Sequence, residues 1–137
     1  MYTNIMVPVD LAHLDKMDKA LRAAADLAKF YHAEIHYVSV TGSLPSELAR
    51  NPEIFAKKLD EFVANQDSIY GVKGQAHPIT ATDPTADLDQ ILSDAGEAVG
   101  ADLVIMAAHV PGLWQNLFHN HGSYVASHAH MSVFLVR

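Results

Sequence analysis

Asn4-Ile5-Met6-Val7-Pro8-Val9-Asp10 opens the chain with a short, unbroken apolar run that ends on a proline and an acid. Runs of this kind suit strands buried on both faces of a parallel sheet, where neither face needs polar residues. Three further stretches read the same way: Glu34 to Val40, Leu103 to Ala108 and Ser132 to Val136. Val72 to Thr82 reads as one more strand, interrupted by Gly74 and Pro78. A proline cannot donate to a ladder, so this strand belongs near an edge.

Between the strands the apolar period changes from two to nearly four. Asp15 to Tyr31 carries Met17, Ala20, Leu21, Ala24, Leu27, Ala28 and Tyr31, one face of a helix, with Asp15 as the expected N-cap. Asn51-Pro52 is a loop-to-helix signal, and Glu53 to Asp67 follows with Ile54, Leu59, Phe62 and Val63 as the expected inner face. Asp83-Pro84 ends the third strand. Asp87 to Val99 is a helix with Leu88, Ile91, Leu92 and Ala95 inside, closing at Gly100. An irregular loop is expected over Val110 to His119 and a last helix over Asn120 to His128. The order β-α-β-α-β-α-β-α-β implies an α/β three-layer sandwich: a five-stranded parallel sheet, Rossmann-like, with right-handed crossovers. With no repeat or linker, residues 1–137 read as one domain.

Composition excludes several functions. The chain has no cysteine, which removes disulfide frameworks, cysteine-based zinc sites, iron–sulfur clusters and cysteine nucleophiles. A formal charge of −7 argues against nucleic acid and anionic membrane as partners. No segment is apolar enough to cross a bilayer: the longest apolar stretch near the C-terminus, Ala98 to Val110, is broken by Gly100, Asp102 and His109, so no membrane span is expected. No basic region precedes an apolar core at the N-terminus, and a cytoplasmic location is expected. The nine histidines make the surface unusually responsive to acid.

Open α/β sheets bind ligands beyond the carboxyl ends of their strands, where strand order reverses. At that rim the sequence places Pro8, Val9 and Asp10, then Val40 and Thr41, then Ala107, Ala108 and His109. The last expected helix begins near His119-Asn120-His121, and amides at a helix start favour an anion such as phosphate. Asp10 reads either as a ligand contact or as a loop residue bonding to nearby amides. His109, His119 and His121 read as phosphate donors, metal ligands, a pH sensor or plain surface histidines. His128 fits a helix C-terminus. A zinc site built from all four of His119, His121, His128 and His130 is not expected, because a helix from 120 to 128 spans about 12 Å, too far for one ion. Leu113, Trp114, Leu117 and Phe118 form an apolar patch, either folded on the core or serving as a lid or partner surface.

The chain resembles the universal stress proteins along its whole length. The markers are Asn4 to Asp10, Ala101-Asp102-Leu103-Val104-Ile105-Met106, and Ser132-Val133-Phe134-Leu135-Val136. The resemblance implies a Rossmann-like fold of the adenine nucleotide alpha hydrolase type, and a dimer formed through the terminal strand Ser132 to Val136. It implies adenine nucleotide binding, ATP or AMP, with magnesium only alongside ATP. Asp10 matches the family's acidic nucleotide contact and Val40 the position whose backbone meets adenine. Many members carry G-x2-G-x9-G-S/T, and this chain departs from it. The Gly-Ser pair falls on His119-Asn120, the first glycine near Ala107 and the second near Val110-Pro111. A shifted reading, Gly112-x9-Gly122-Ser123, keeps the internal spacing. His109 matches the basic position after the first glycine.

The expected function is a dimeric stress-response regulatory module that binds an adenine nucleotide weakly and is not an enzyme. The alternatives are a protein-interaction module without nucleotide and a metal-dependent enzyme using the histidine cluster. No P-loop or nucleophile elbow is present.

Overall fold

The opening run forms β1 (Asn4–Pro8), with Ile5, Met6 and Val7 wholly buried. β1 lies at the centre of a five-stranded sheet of order β3-β2-β1-β4-β5. The others are β2 (Glu34–Gly42), β3 (Gly74–Ala81), β4 (Leu103–Ala107) and β5 (Ser132–Val136), and every pairing is parallel. The computed structural model describes residues 1–43, 51–108, 110 and 130–137. The loop and the last helix expected between Val110 and His128 lie outside the described residues, apart from Val110, which is buried.

Among the described residues three α-helices connect the strands: α1 (Asp18–Tyr31), α2 (Pro52–Tyr70) and α3 (Pro84–Ala98). The chain runs outward from β1 to β2 to β3, then crosses back to β4. Right-handed crossovers therefore put α1 and α2 on one face and α3 on the other. Side chains agree. Tyr37 points to α2 and meets Phe62 edge-on at 5.4 Å. Met6 faces the other way, beside Gly96 of α3.

Helix starts follow local chemistry. The Asn51 side chain accepts the amide of Ile54 at 2.9 Å, and that of Asp83 accepts the amide of Ala86 at 3.2 Å; a proline follows each. α3 thus begins at Pro84, three residues before the expected start. Gly71 and Gly100 turn the chain at φ 68° and 65°, where a side chain would be strained.

Two expectations are corrected. Asp15 does not cap α1; it lies in a 3-10 turn (Leu14–Lys16), and Met17 precedes the helix without a side-chain cap. In α2 the buried stripe is Phe55, Leu59, Phe62, Val63 and Gln66, and Ile54 turns outward. Phe55 and Ile54 are 100° apart on the helix, and the larger ring takes the inner position. β3 is an edge strand, as Pro78 predicted. β5 forms the other edge, with Phe134 46 % and Leu135 38 % exposed. Among the described residues no helix is long and apolar enough to cross a membrane.

Candidate site at the carboxyl ends of β1, β2 and β4

Strand order reverses between β1 and β4, so the crevice predicted for this fold lies above their carboxyl ends. The pairing there is uneven. β1 stays in register with β2 from Asn4 to Pro8, whereas its pairing with β4 covers only Ile5↔Leu103 and Met6↔Val104. Proline supplies the reason. The Val9 amide donates to Val38 of β2 at 2.8 Å. Amide directions alternate along a strand, so position 8 faces β4, and there Pro8 has no N–H to give. The β1–β4 ladder therefore stops short of the carboxyl ends of the two strands.

The structure brings together the described part of the predicted site. Pro8 ends β1, Val9 follows it wholly buried, and Val40 lies buried near the end of β2. Ala107 ends β4, and the Ala108 amide donates to the Val136 carbonyl at 2.8 Å, tying that rim to β5. Ser39, which sequence reading did not single out, donates its hydroxyl to the Val9 carbonyl at 2.7 Å and fixes the turn out of β1. His109, His119, Asn120 and His121 lie outside the described residues, as do Trp114 and its apolar neighbours.

Asp10 begins the loop above β1. Its Oδ1 accepts the Ala12 amide at 3.0 Å, closing an Asx turn. Its Oδ2 lies 2.8 Å from Nδ1 of His13, an ion pair when that ring is protonated. The loop-residue reading of Asp10 is therefore met. The carboxylate is also pre-oriented, because two neighbours fix it and its side chain is only 13 % exposed. His13 was missed at sequence level. The available signal was the spacing Asp-x-x-His directly after a strand.

The chemistry of this rim is that of an acceptor beside an apolar slot. An ionised carboxylate only accepts hydrogen bonds, so the group it meets must be a donor, such as a ribose hydroxyl or an exocyclic amine. Valine and alanine positions beside it suit the flat face of a base. Among the described residues no group of three or more His, Asp or Glu side chains is arranged to hold a metal ion.

The profile of the Universal stress protein family matches residues 1–137. Universal stress protein G of Salmonella typhimurium is 26 % identical over 148 aligned residues, with both chains covered completely. A universal stress protein from Archaeoglobus fulgidus superposes with a TM-score of 0.70 at 18 % identity, again covering 100 % of each chain. A universal stress protein of the same organism in complex with dAMP superposes with a TM-score of 0.65 at 21 % identity, covering 99 % of this chain and 98 % of that one.

Proposed function

Because this chain belongs to the universal stress protein family, we propose that it is a cytoplasmic, dimeric regulatory module whose crevice between β1 and β4 binds an adenine nucleotide. The observation that carries the reading is the pre-oriented Asp10 beyond the carboxyl end of β1, where the β1–β4 ladder has stopped. The dAMP-bound relative, which shares the fold, supports the choice of ligand. In this reading Asp10 accepts from the ribose or the adenine amine. The backbone of Pro8, Val9 and Val40 lines the base, and Ala107 and Ala108 form the far wall. The phosphates extend toward His109 and the segment His119-Asn120-His121, and magnesium accompanies only ATP, held by the triphosphate. The role is binding rather than catalysis.

Calorimetric titration with AMP, ADP and ATP tests this, with and without magnesium. Saturable binding is expected. Asp10→Ala should weaken it at least about tenfold, since a hydrogen bond to a charged group is worth about 1.5–3 kcal/mol. No saturable binding by any of the three, from a folded protein, would overturn the reading.

The dimer rests on β5. This edge strand is short and apolar, and it exposes Phe134 on one face and Leu135 on the other. An edge of that kind templates pairing with another strand. Sedimentation should show a dimer, and Phe134→Lys with Leu135→Glu should shift it to monomer. A wild-type monomer at tens of micromolar would remove this part of the proposal.

A further inference from the structure

His36 and His77 are 41 residues apart in sequence and 2.9 Å apart in space, Nδ1 of His36 to Nε2 of His77. His36 is 5 % exposed on β2, and His77 is half-buried on the edge strand β3. Both belong to the face that α3 covers, since Met6 pairs with His36 and also lies beside Gly96. The pair lies toward the amino ends of the strands, away from the crevice.

The direction of every hydrogen bond in this cluster can be deduced. The Asn4 side-chain amine donates to the Gly100 carbonyl at 3.3 Å, so the Asn4 Oδ1 is an acceptor. It lies 3.2 Å from Nε2 of His36, which therefore carries a proton. Neutral His36 then has a bare Nδ1, and Nε2–H of His77 donates to it. One chain of donors runs from edge strand β3 through β2 and β1 to the end of α3. The two rings are tilted by 37° to one another, with centroids 5.1 Å apart.

A first proton is tolerated. It enters at Nδ1 of His77 and leaves the Nε2–H···Nδ1 bond in place. A second proton is not. It must go to Nδ1 of His36 and would set two N–H groups and two positive charges against each other. We propose that the His36–His77 contact is a proton-gated latch on edge strand β3, closed while the pair holds at most one proton and released when both rings are charged.

The surroundings favour the closed state. Burial lowers the proton affinity of His36, and burial with the neighbouring His36 lowers that of His77. Glu34 opposes this weakly. Its carboxylate is 3.8 Å from Nε2 of His36, but it is largely exposed and is shared with the Gln75 amide at 3.3 Å. α3 presents Leu88, Leu92, Ala95, Gly96 and Ser93 as its buried residues. Of its charges, Asp94 is bonded to Gln90, Asp87, Asp94 and Glu97 are exposed, and Asp89 is half-buried. Lys73, just before β3, is exposed. Only two nitrogens converge, and Glu34 approaches the opposite edge of the His36 ring, so the bridge is a proton rather than a metal ion.

The sign of the effect follows. The unfolded chain protonates these histidines near the ordinary value, and the folded chain resists. Stability is full above about pH 6.5 and falls as the pH drops through that value toward the folded-state values. Each withheld proton multiplies the unfolding constant by up to tenfold per pH unit.

Three measurements on the full chain test the latch. In an NMR titration, His36 and His77 should both titrate below the ordinary histidine value. In urea unfolding from pH 8 to pH 5, His77→Gln should fold at pH 8 and lose at least tenfold of the wild-type pH dependence in the unfolding constant. Amides of β3 should exchange faster at pH 5 than intrinsic rates predict, while those of β1 do not. Ordinary titration of both rings, an unchanged pH dependence in His77→Gln, or β3 amides equally protected at both pH values would each overturn the proposal. If His77→Gln does not fold, titration and exchange in the wild type decide.

Discussion

Tyr37→Ala is expected to destabilise the protein by about 3–5 kcal/mol, the range for deleting a buried aromatic ring. Tyr37 is 1 % exposed at the junction of β2, β3 and α2. Its ring meets Phe62 edge-on, at an interplanar angle of 86°. The ring also lies against Gly74, the first residue of β3. A Cβ built at Gly74 would fall 2.5 Å from Cε2 of Tyr37. The glycine is thus required by close approach rather than by backbone angle. A methyl group there collides with the buried ring, so Gly74→Ala is expected to cost about 1–3 kcal/mol by overpacking. The two sites are one packing unit, and in a Tyr37→Leu background the cost of Gly74→Ala should shrink markedly. Urea unfolding of the four chains measures this, and a Gly74→Ala cost that is the same in both backgrounds would show that the ring is not what excludes the methyl group.

Asp102→Ala is expected to cost about 1.5–3 kcal/mol at pH 7, the range of a hydrogen bond to a charged group. The carboxylate accepts the Thr3 amide at 2.9 Å, the Asn4 amide at 3.1 Å and the Thr3 hydroxyl at 3.0 Å. The main chain of Asp102 adds two bonds, its amide to the Asn4 carbonyl and its carbonyl from the Ser132 amide, both at 3.0 Å. One residue therefore ties together the amino ends of β1, β4 and β5. Burial would raise its pKa, but the Thr3 and Asn4 amides and the Thr3 hydroxyl outweigh burial and hold it below the ordinary carboxylate range. A lowered folded-state value means that the contribution is present above about pH 4 and is lost as the pH falls through the folded value. The gap between wild type and Asp102→Ala should accordingly be largest near pH 7 and narrow at pH 3. A gap independent of pH would mean that the carboxylate's charge is not what binds the strands. This window lies well below the one in which the histidine pair responds, so the two acid effects separate in a single stability profile.

The sequence alone determined the five strands and the three described helices, because burial imposes a period. Short apolar runs marked β1, β4 and β5, β2 and β3 were read from mixed stretches between loop signals, Pro78 marked β3 as an edge, and Gly100 marked the end of α3. The reversal of strand order also placed Pro8, Val9, Asp10, Val40, Ala107 and Ala108 at one rim, since right-handed crossovers leave few other arrangements. What failed was phase and pairing. Ile54 and Phe55 both fit the apolar stripe of α2, and only the docked helix chose between them. Asp15 looked like a cap, yet the chain spends it in a 3-10 turn while Asp10 organises the loop before it. The contacts that carry the strongest predictions join residues far apart in the chain: Thr3 with Asp102, Tyr37 with Gly74, His36 with His77. Local pattern reports whether a side chain is covered. Which partner covers it is settled by the register of the strands, a property that no window of sequence contains.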